Sequence, residues 1–178
     1  MSDNELAERA KTDMGSFSEL FERFFTPLYR YFYIRLRHHP DAEDLTSETF
    51  EKLFMKLHTF EDRGIPFTAW MFKIAHHCLL DHIRRKKGII VSLDDLDVSE
   101  EPSIEFSLQD IDQKILTEKL WSAVAELSER EQQIWALKLS VDMQHKDIAR
   151  VLDISEANVN VILHRSFKTL KNSLIRLS

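Results

Sequence analysis

The stretch His145-Lys-Asp-Ile-Ala-Arg-Val-Leu-Asp-Ile-Ser-Glu-Ala-Asn-Val-Asn-Val-Ile-Leu-His164 has the spacing of two helices crossing at a tight turn. A helix-turn-helix needs a small residue at the crossing, a turn residue that tolerates a left-handed backbone, and apolar inner faces. Ala149 is the small residue, and Asp153, four positions on, sits at the turn, where Gly is usual but Asp is tolerated. Ser155 can cap the second helix, while Val159 and Leu163 face inward with Ile148, Leu152 and Ile154. A helical hairpin at a protein interface shares part of this pattern. Residues 157–178, however, hold Arg165, Lys168, Lys171 and Arg176 and no acid, which suits phosphate contacts. The second helix is therefore expected in a major groove. Its DNA-facing residues are predicted to be Ser155, Glu156, Asn158, Asn160, Val161, His164, Arg165 and Lys168. Asn and Arg side chains make bidentate contacts with adenine and guanine edges, respectively.

Working outward, the charge is unevenly spread. The 178 residues carry 24 Lys and Arg against 30 Asp and Glu, net −6. Residues 1–66 are net −4, residues 67–87 net +4, residues 88–113 net −8 without one basic side chain, and residues 114–178 net +2. The basic run Arg84-Arg85-Lys86-Lys87 meets the acidic stretch directly. With Gly88, Pro102 and clustered Asp94, Asp95, Asp97, Glu100 and Glu101, residues 88–113 read as a self-repelling linker. Fully extended, it could reach roughly 80 Å. Two domains are expected, at 10–87 and 114–178, although a single domain with a long excursion fits the same residues.

Both halves read as helical, so the fold class is all-α. In Phe17-x3-Phe21-x2-Phe24-Phe25-x2-Leu28-x3-Phe32 apolar residues recur at spacings of three and four, marking one helix face. Pro40 is read as a break, with Asp41 as the N-cap of the next helix and acids in its first turn. That helix has the inner face Leu45, Thr49, Leu53, Leu57 and Phe60. Glu61 to Pro66 is a turn signal, and a third helix is predicted from Phe67 to Lys87, striped by Trp70, Ile74, Cys78 or Leu79, and Ile83. Further helices are predicted at Ile115 to Ala125 and Glu129 to Lys138, with a capping box in Ser128-Glu-Arg-Glu131. Of 18 aromatic residues 14 lie between Phe17 and Phe72; their helical spacing assigns most to the core, Trp70 included, rather than to base stacking.

Several classes are disfavoured. The single Cys78 rules out a disulfide framework and fits a reducing compartment. No apolar run reaches the roughly 18 residues of a membrane span, and the polar, acidic start does not read as a signal peptide. Three glycines leave little for phosphate-cradling loops. His38, His39, His76, His77, His82 and Asp81 could suggest a metal enzyme, but adjacent histidines point to different helix faces and no His-Glu-x-x-His appears. No cofactor, metal or catalytic activity is expected.

Taken together, the chain resembles a bacterial sigma factor of the sigma-70 family, extracytoplasmic-function (group IV) type. The resemblance rests on Phe17-Ser-Glu-Leu-Phe21, Tyr29-Arg-Tyr-Phe32, Asp41-Ala-Glu-Asp-Leu-Thr-Ser-Glu-Thr-Phe-Glu-Lys-Leu-Phe54 and Pro66-Phe-Thr-Ala-Trp-Met-Phe-Lys-Ile-Ala75. It continues through Leu79-Leu-Asp-His-Ile-Arg-Arg85, Leu127-Ser-Glu-Arg-Glu131 and the pattern around Asp147-Ile-Ala. It implies a region 2 domain and a region 4 domain ending in the helix-turn-helix. It further implies binding to core RNA polymerase, direction to promoter −10 and −35 elements, help in promoter opening, and action in the cytoplasm. An anti-sigma protein that clamps the two domains is a common control in this family.

By the same resemblance, Asp44, Ser47, Glu48 and Glu51 are the candidate polymerase contacts; without it, they read as a solvated helix face. Arg63, Lys73, His77, Arg84 and Arg85 are the candidate −10 contacts, although Arg84 to Lys87 also reads as a basic helix end favourable to its own dipole. Unstacking a base costs a few kcal/mol, which a pocket and backbone contacts can offset. The chain departs from the family's usual basic residues at Asn160, Ile162 and Phe167, and from its Arg-Asn pair at His76-His77. A stand-alone helix-turn-helix regulator is the main rival, but it leaves the motifs of the first half unexplained.

Overall fold

The computed structural model describes residues 1–90 and 118–177, and every regular element among them is helical. The first domain contains α1 (Asp3–Ala10), α2 (Met14–Leu36), α3 (His39–Lys56), a single 3-10 turn at Leu57–Thr59, and α4 (Phe67–Ile90). The second contains α5 (described over 118–125), α6 (Glu129–Val141), α7 (His145–Leu152) and α8 (Glu156–Leu177).

On sequence alone the first domain starts at residue 10, yet α1 is part of its core. Leu6 and Ala7 are fully buried. A capping box starts the helix, with Ser2 Oγ accepting from the Glu5 N–H at 3.2 Å and Glu5 accepting from the Ser2 N–H at 2.8 Å. The Asn4 side chain then accepts from the Phe67 N–H at 2.7 Å, satisfying a donor at the start of α4. Lys11 donates to the Phe60 carbonyl at 2.6 Å. The packed unit therefore extends to the first helix.

In α2 the core stripe is Leu20, Phe24, Leu28 and Phe32, all buried, whereas Phe21 is 41% exposed. Phe17 and Phe25 are partly buried against that core, so of the predicted face only Phe21 is exposed, beside Phe25 and Phe50. Asp41 is not an N-cap. The helix starts earlier, with His38 as the cap and Pro40 in its first turn, where a missing N–H costs nothing. His38 Nδ1 accepts from the Asp41 N–H at 3.3 Å. The inner face Leu45, Thr49, Leu53, Leu57 and Phe60 is buried as expected. On α4, Cys78 and Leu79 are both fully buried, and Trp70 is partly buried against Phe60 and Phe67. This helix continues to Ile90, three residues past its expected end. The rest of the expected linker, and the start of the helix predicted at Ile115, lie outside the described residues.

In the second domain Glu131 reaches back to accept from the Ser128 N–H at 2.9 Å and its hydroxyl at 2.7 Å, starting α6 as predicted. The core joins Val124, Ile134, Leu137, Ile148, Val151, Val159 and Leu163. Within it the Trp135 indole N–H donates to Ser166 Oγ at 2.8 Å. The two domains pack on one another, α2 against α6 and α4 against α7.

Candidate nucleic-acid and partner interfaces

The turn between α7 and α8 has the backbone its sequence demands. Asp153 takes the left-handed conformation, φ 53°, and its N–H donates to the Ala149 carbonyl. Ser155 Oγ accepts from the Asn158 N–H at 3.2 Å, capping α8. Ala149, Ile148, Leu152, Val159 and Leu163 are buried between the helices, and Ile154 packs against them. Inner-face packing turns the other side of α8 outward. All eight candidates, Ser155, Glu156, Asn158, Asn160, Val161, His164, Arg165 and Lys168, are exposed on or beside it. Asn160 Oδ1 meets His145 Nδ1 at 2.5 Å, which ties this exposed face to the start of α7. Phe167 is exposed and stacks on Trp135.

Candidates on the first domain are differently placed. Asp44, Ser47 and Glu51 are exposed on α3. Glu48 is half-buried and committed within the domain, accepting from Lys52 at 2.6 Å and Arg85 at 3.5 Å. The Lys52 hydrogen bond, reinforced by Arg85, holds its carboxyl below the usual range despite opposing burial. Asp41 is tied to Lys86 and His38; burial resists its ionisation, and Lys86, His38 and His82 more than offset it. The acidic and basic faces expected from sequence are therefore one interlocked array across α3 and α4, bordering an open cleft of about 380 Å³ lined by Glu48, Lys52, Asp81, Arg84 and Arg85.

Of the −10 candidates, Arg63 lies in the exposed 61–66 loop beside Glu61, and His77, Arg84 and Arg85 are exposed on α4. Lys73 is not free: its ammonium donates to Asp153 at 2.8 Å and to the Arg150 carbonyl at 3.5 Å, both on the second domain. Sequence reasoning also missed an aromatic patch. Phe54 and Met55 are 53% and 62% exposed at the end of α3. Phe17 meets Phe54 edge-on at 5.1 Å, and Phe21 lies 4.5 Å from Phe50. The signal was present, since Phe54 and Met55 fall off the Leu45-Thr49-Leu53 stripe. Among the described residues no group of His, Cys, Asp or Glu side chains is arranged as metal ligands, and no helix is long and apolar enough to cross a membrane.

This architecture, one helical domain with charged and aromatic faces and a second built on a helix-turn-helix, defines a nucleic-acid-binding protein of modular design. Residues 20–89 match the family described as Sigma-70 region 2, and residues 117–170 match Sigma-70, region 4. The ECF RNA polymerase sigma factor BldN of Streptomyces coelicolor is 29% identical over 178 residues, 96% of this chain and 65% of BldN. The chain thus spans about two-thirds of that relative's length. The ECF RNA polymerase sigma factor SigM of Bacillus subtilis is 24% identical, over 86% of this chain and 91% of SigM. Two solved structures share the fold. CnrH in complex with the cytosolic domain of CnrY has a TM-score of 0.69 at 23% identity, covering 99% of both chains. The sigma factor RpoE from Bartonella quintana, in complex with the anti-sigma factor NepR, has a TM-score of 0.70 at 20% identity, covering 89% of this chain and 96% of that one. The chain belongs to the sigma-70 family of sigma factors, in its extracytoplasmic-function branch.

Proposed function

We propose that this chain is a promoter-specificity subunit: it binds core RNA polymerase in the cytoplasm and directs it to −10 and −35 elements. The observation that carries this is the pairing of a fully exposed α8 reading face with a region 2 domain bearing the family's motifs. Region 4 docks α8 in the major groove of the −35 element. Asn158, Asn160 and Arg165 contact bases and Lys168 a phosphate, with Ser155 and Glu156 at the helix start and Val161 and His164 along the same face. Region 2 holds the polymerase through Asp44, Ser47 and Glu51, with Phe54 and Met55 supplying apolar area beside them. Glu48 shapes that surface through its pairs to Lys52 and Arg85. Arg63, Lys73, His77, Arg84 and Arg85 follow the −10 strand. The chain binds and positions; bond-making belongs to the polymerase. An anti-sigma protein is a fitting regulator, since the relatives of known structure include complexes of that kind.

Run-off transcription with core polymerase and a genomic fragment pool tests the reading. New start sites and a stable complex on gel filtration are expected; absence of both overturns it. Arg165→Ala is expected to weaken −35 binding by about 1–3 kcal/mol without changing core association. Asp44→Lys is expected to do the reverse, and is a cleaner probe than Glu48→Lys, which also breaks the α3–α4 array. A swapped outcome sinks the domain assignment.

A further inference from the structure

Helix α1 precedes the segment matched by the region 2 family, residues 20–89, yet it holds both ends of the 61–66 loop. At the leading end Lys11, the C-cap of α1, donates to the Phe60 carbonyl at 2.6 Å, and its ammonium lies 5.9 Å from the centre of the Phe60 ring. Glu8 on α1 holds the same ammonium at 2.6 Å. At the trailing end Asn4 Oδ1 accepts from the Phe67 N–H at 2.7 Å, and Asn4 Nδ2 lies 3.5 Å from the Ile65 carbonyl.

So distant a cap has a local cause. The Pro66 carbonyl accepts from the Ala69 and Trp70 N–H groups at 3.0 and 3.2 Å, which puts Pro66 in the N-cap place of α4. Proline has no side-chain oxygen to cap a first turn, so α1 supplies the acceptor. Between the two anchors, the buried rings of Phe60 and Phe67 meet edge-on at 5.3 Å and close the base of the loop. Above them residues 61–65 are all exposed. Arg63 pairs with Glu61, its N–H donates to the Glu61 carbonyl at 2.9 Å, and Gly64 takes a φ of 74°. Among the described residues the bonds of 61–64 stay within the loop, so the position of its tip is set from its ends.

We propose that α1 is a brace for this loop: Asn4 and Lys11 are positioning residues that present Arg63 and Ile65 together to an unpaired DNA strand. Arg63 offers its guanidinium to a phosphate, and Ile65, 43% exposed, offers apolar area to an unstacked base. This rests on the reading of Arg63 given above. A tip free to wander has to be ordered when the strand binds, and bracing it beforehand removes that cost.

The test uses the full chain with a nitroxide on Asp62→Cys, an exposed position, Cys78 being buried. The nitroxide line shape reports loop order without DNA or polymerase. Strand binding is read with the unlabelled chain on core polymerase and a fluorescent pool of random single-stranded 12-mers, with binding to core alone subtracted. Asn4→Ala removes both polar atoms and is expected to mobilise the label and weaken strand binding about two- to tenfold. Asn4→Asp keeps the acceptor for the Phe67 N–H at a helix start that favours a carboxylate, and is expected to stay near the parent in both readouts. Lys11→Met keeps the apolar stem without the donor, and is expected to mobilise the label from the other end. Because the brace acts through the tip, Asn4→Ala is expected to add little to Arg63→Ala, whereas a general loss of stability would weaken both backgrounds alike. Unchanged line shapes in both Asn4→Ala and Lys11→Met overturn the brace. A mobilised label with equal affinity loss in the two Arg63 backgrounds overturns the positioning role. Strand binding unmoved by Arg63→Ala overturns the reading of the loop, and the positioning role with it, while the line shape still judges the brace.

Discussion

His76 and His77 are adjacent, but α4 turns one inward and the other to solvent. That divergence is legible from helical geometry, which already argued against a metal pair. The partner of His76 is not legible: the Tyr31 hydroxyl, 45 residues away, lies 3.1 Å from His76 Nδ1. Burial, with His77 and Arg35 nearby, lowers the His76 pKa from 6.5 to about 4. Because the folded value lies below the unfolded one, the unfolded chain takes up the proton first as pH falls. Stability is therefore full above about pH 6.5 and declines as pH drops toward 4. Urea denaturation at pH 7 and pH 5 should show this loss, and His76→Gln should reduce it. A slope unchanged by the substitution would assign the acid sensitivity to other groups. Trp135 and Ser166 teach the same lesson, since a hydrogen bond 31 residues apart leaves no periodic trace in the chain.

At the scale of elements, α2, α3, α4 and the helix-turn-helix could be read from apolar spacing and turn residues because their inner faces are mostly continuous. The first helix could not be recognised so easily. It has eight residues, and only Leu6, Ala7 and Ala10 mark its inner face. The useful signal was Ser2-x-x-Glu5, a capping box directly before Leu6. Leu6→Ala is expected to cost region 2 about 2–5 kcal/mol, read by denaturant melts followed by circular dichroism. A cost near zero would mean that α1 lies on the domain without supporting it. Glu131→Ala, which removes the acceptor of both Ser128 bonds, is expected to destabilise region 4 by about 1 kcal/mol, whereas Glu131→Gln should retain most of that. The misplaced start of α3 has a simple origin: Pro both ends helices and begins them, and only the His38 cap distinguishes the two uses here.

For the whole molecule, net charge was the least informative number and its distribution the most informative. The acidic 88–113 stretch and the basic residues of α4 and α8 could be located by counting. Domain docking could not, because it depends on residues far apart in the chain, such as Arg35 and Gln132 or Tyr33 and Trp121, meeting across the fold. If the acidic stretch screens free DNA, changing Asp94, Asp95, Asp97, Glu100 and Glu101 to amides should raise non-specific duplex binding of the chain alone. The gain should be largest at low salt and fade toward 0.5 M, as screening shortens electrostatic reach to a few Å. Equal affinity at every salt concentration would remove the stretch from any account of DNA avoidance. The aromatic patch of Phe21, Phe54 and Met55 acts on a different timescale, that of the chain's survival. An uncovered apolar surface of this kind invites self-association and engagement by chaperones and proteases until a partner covers it. If the proposed polymerase contact covers this surface, copies in excess of polymerase are expected to turn over faster than bound ones, which pulse-chase at two polymerase levels would read. Equal half-lives would leave the patch without a part in setting the chain's abundance.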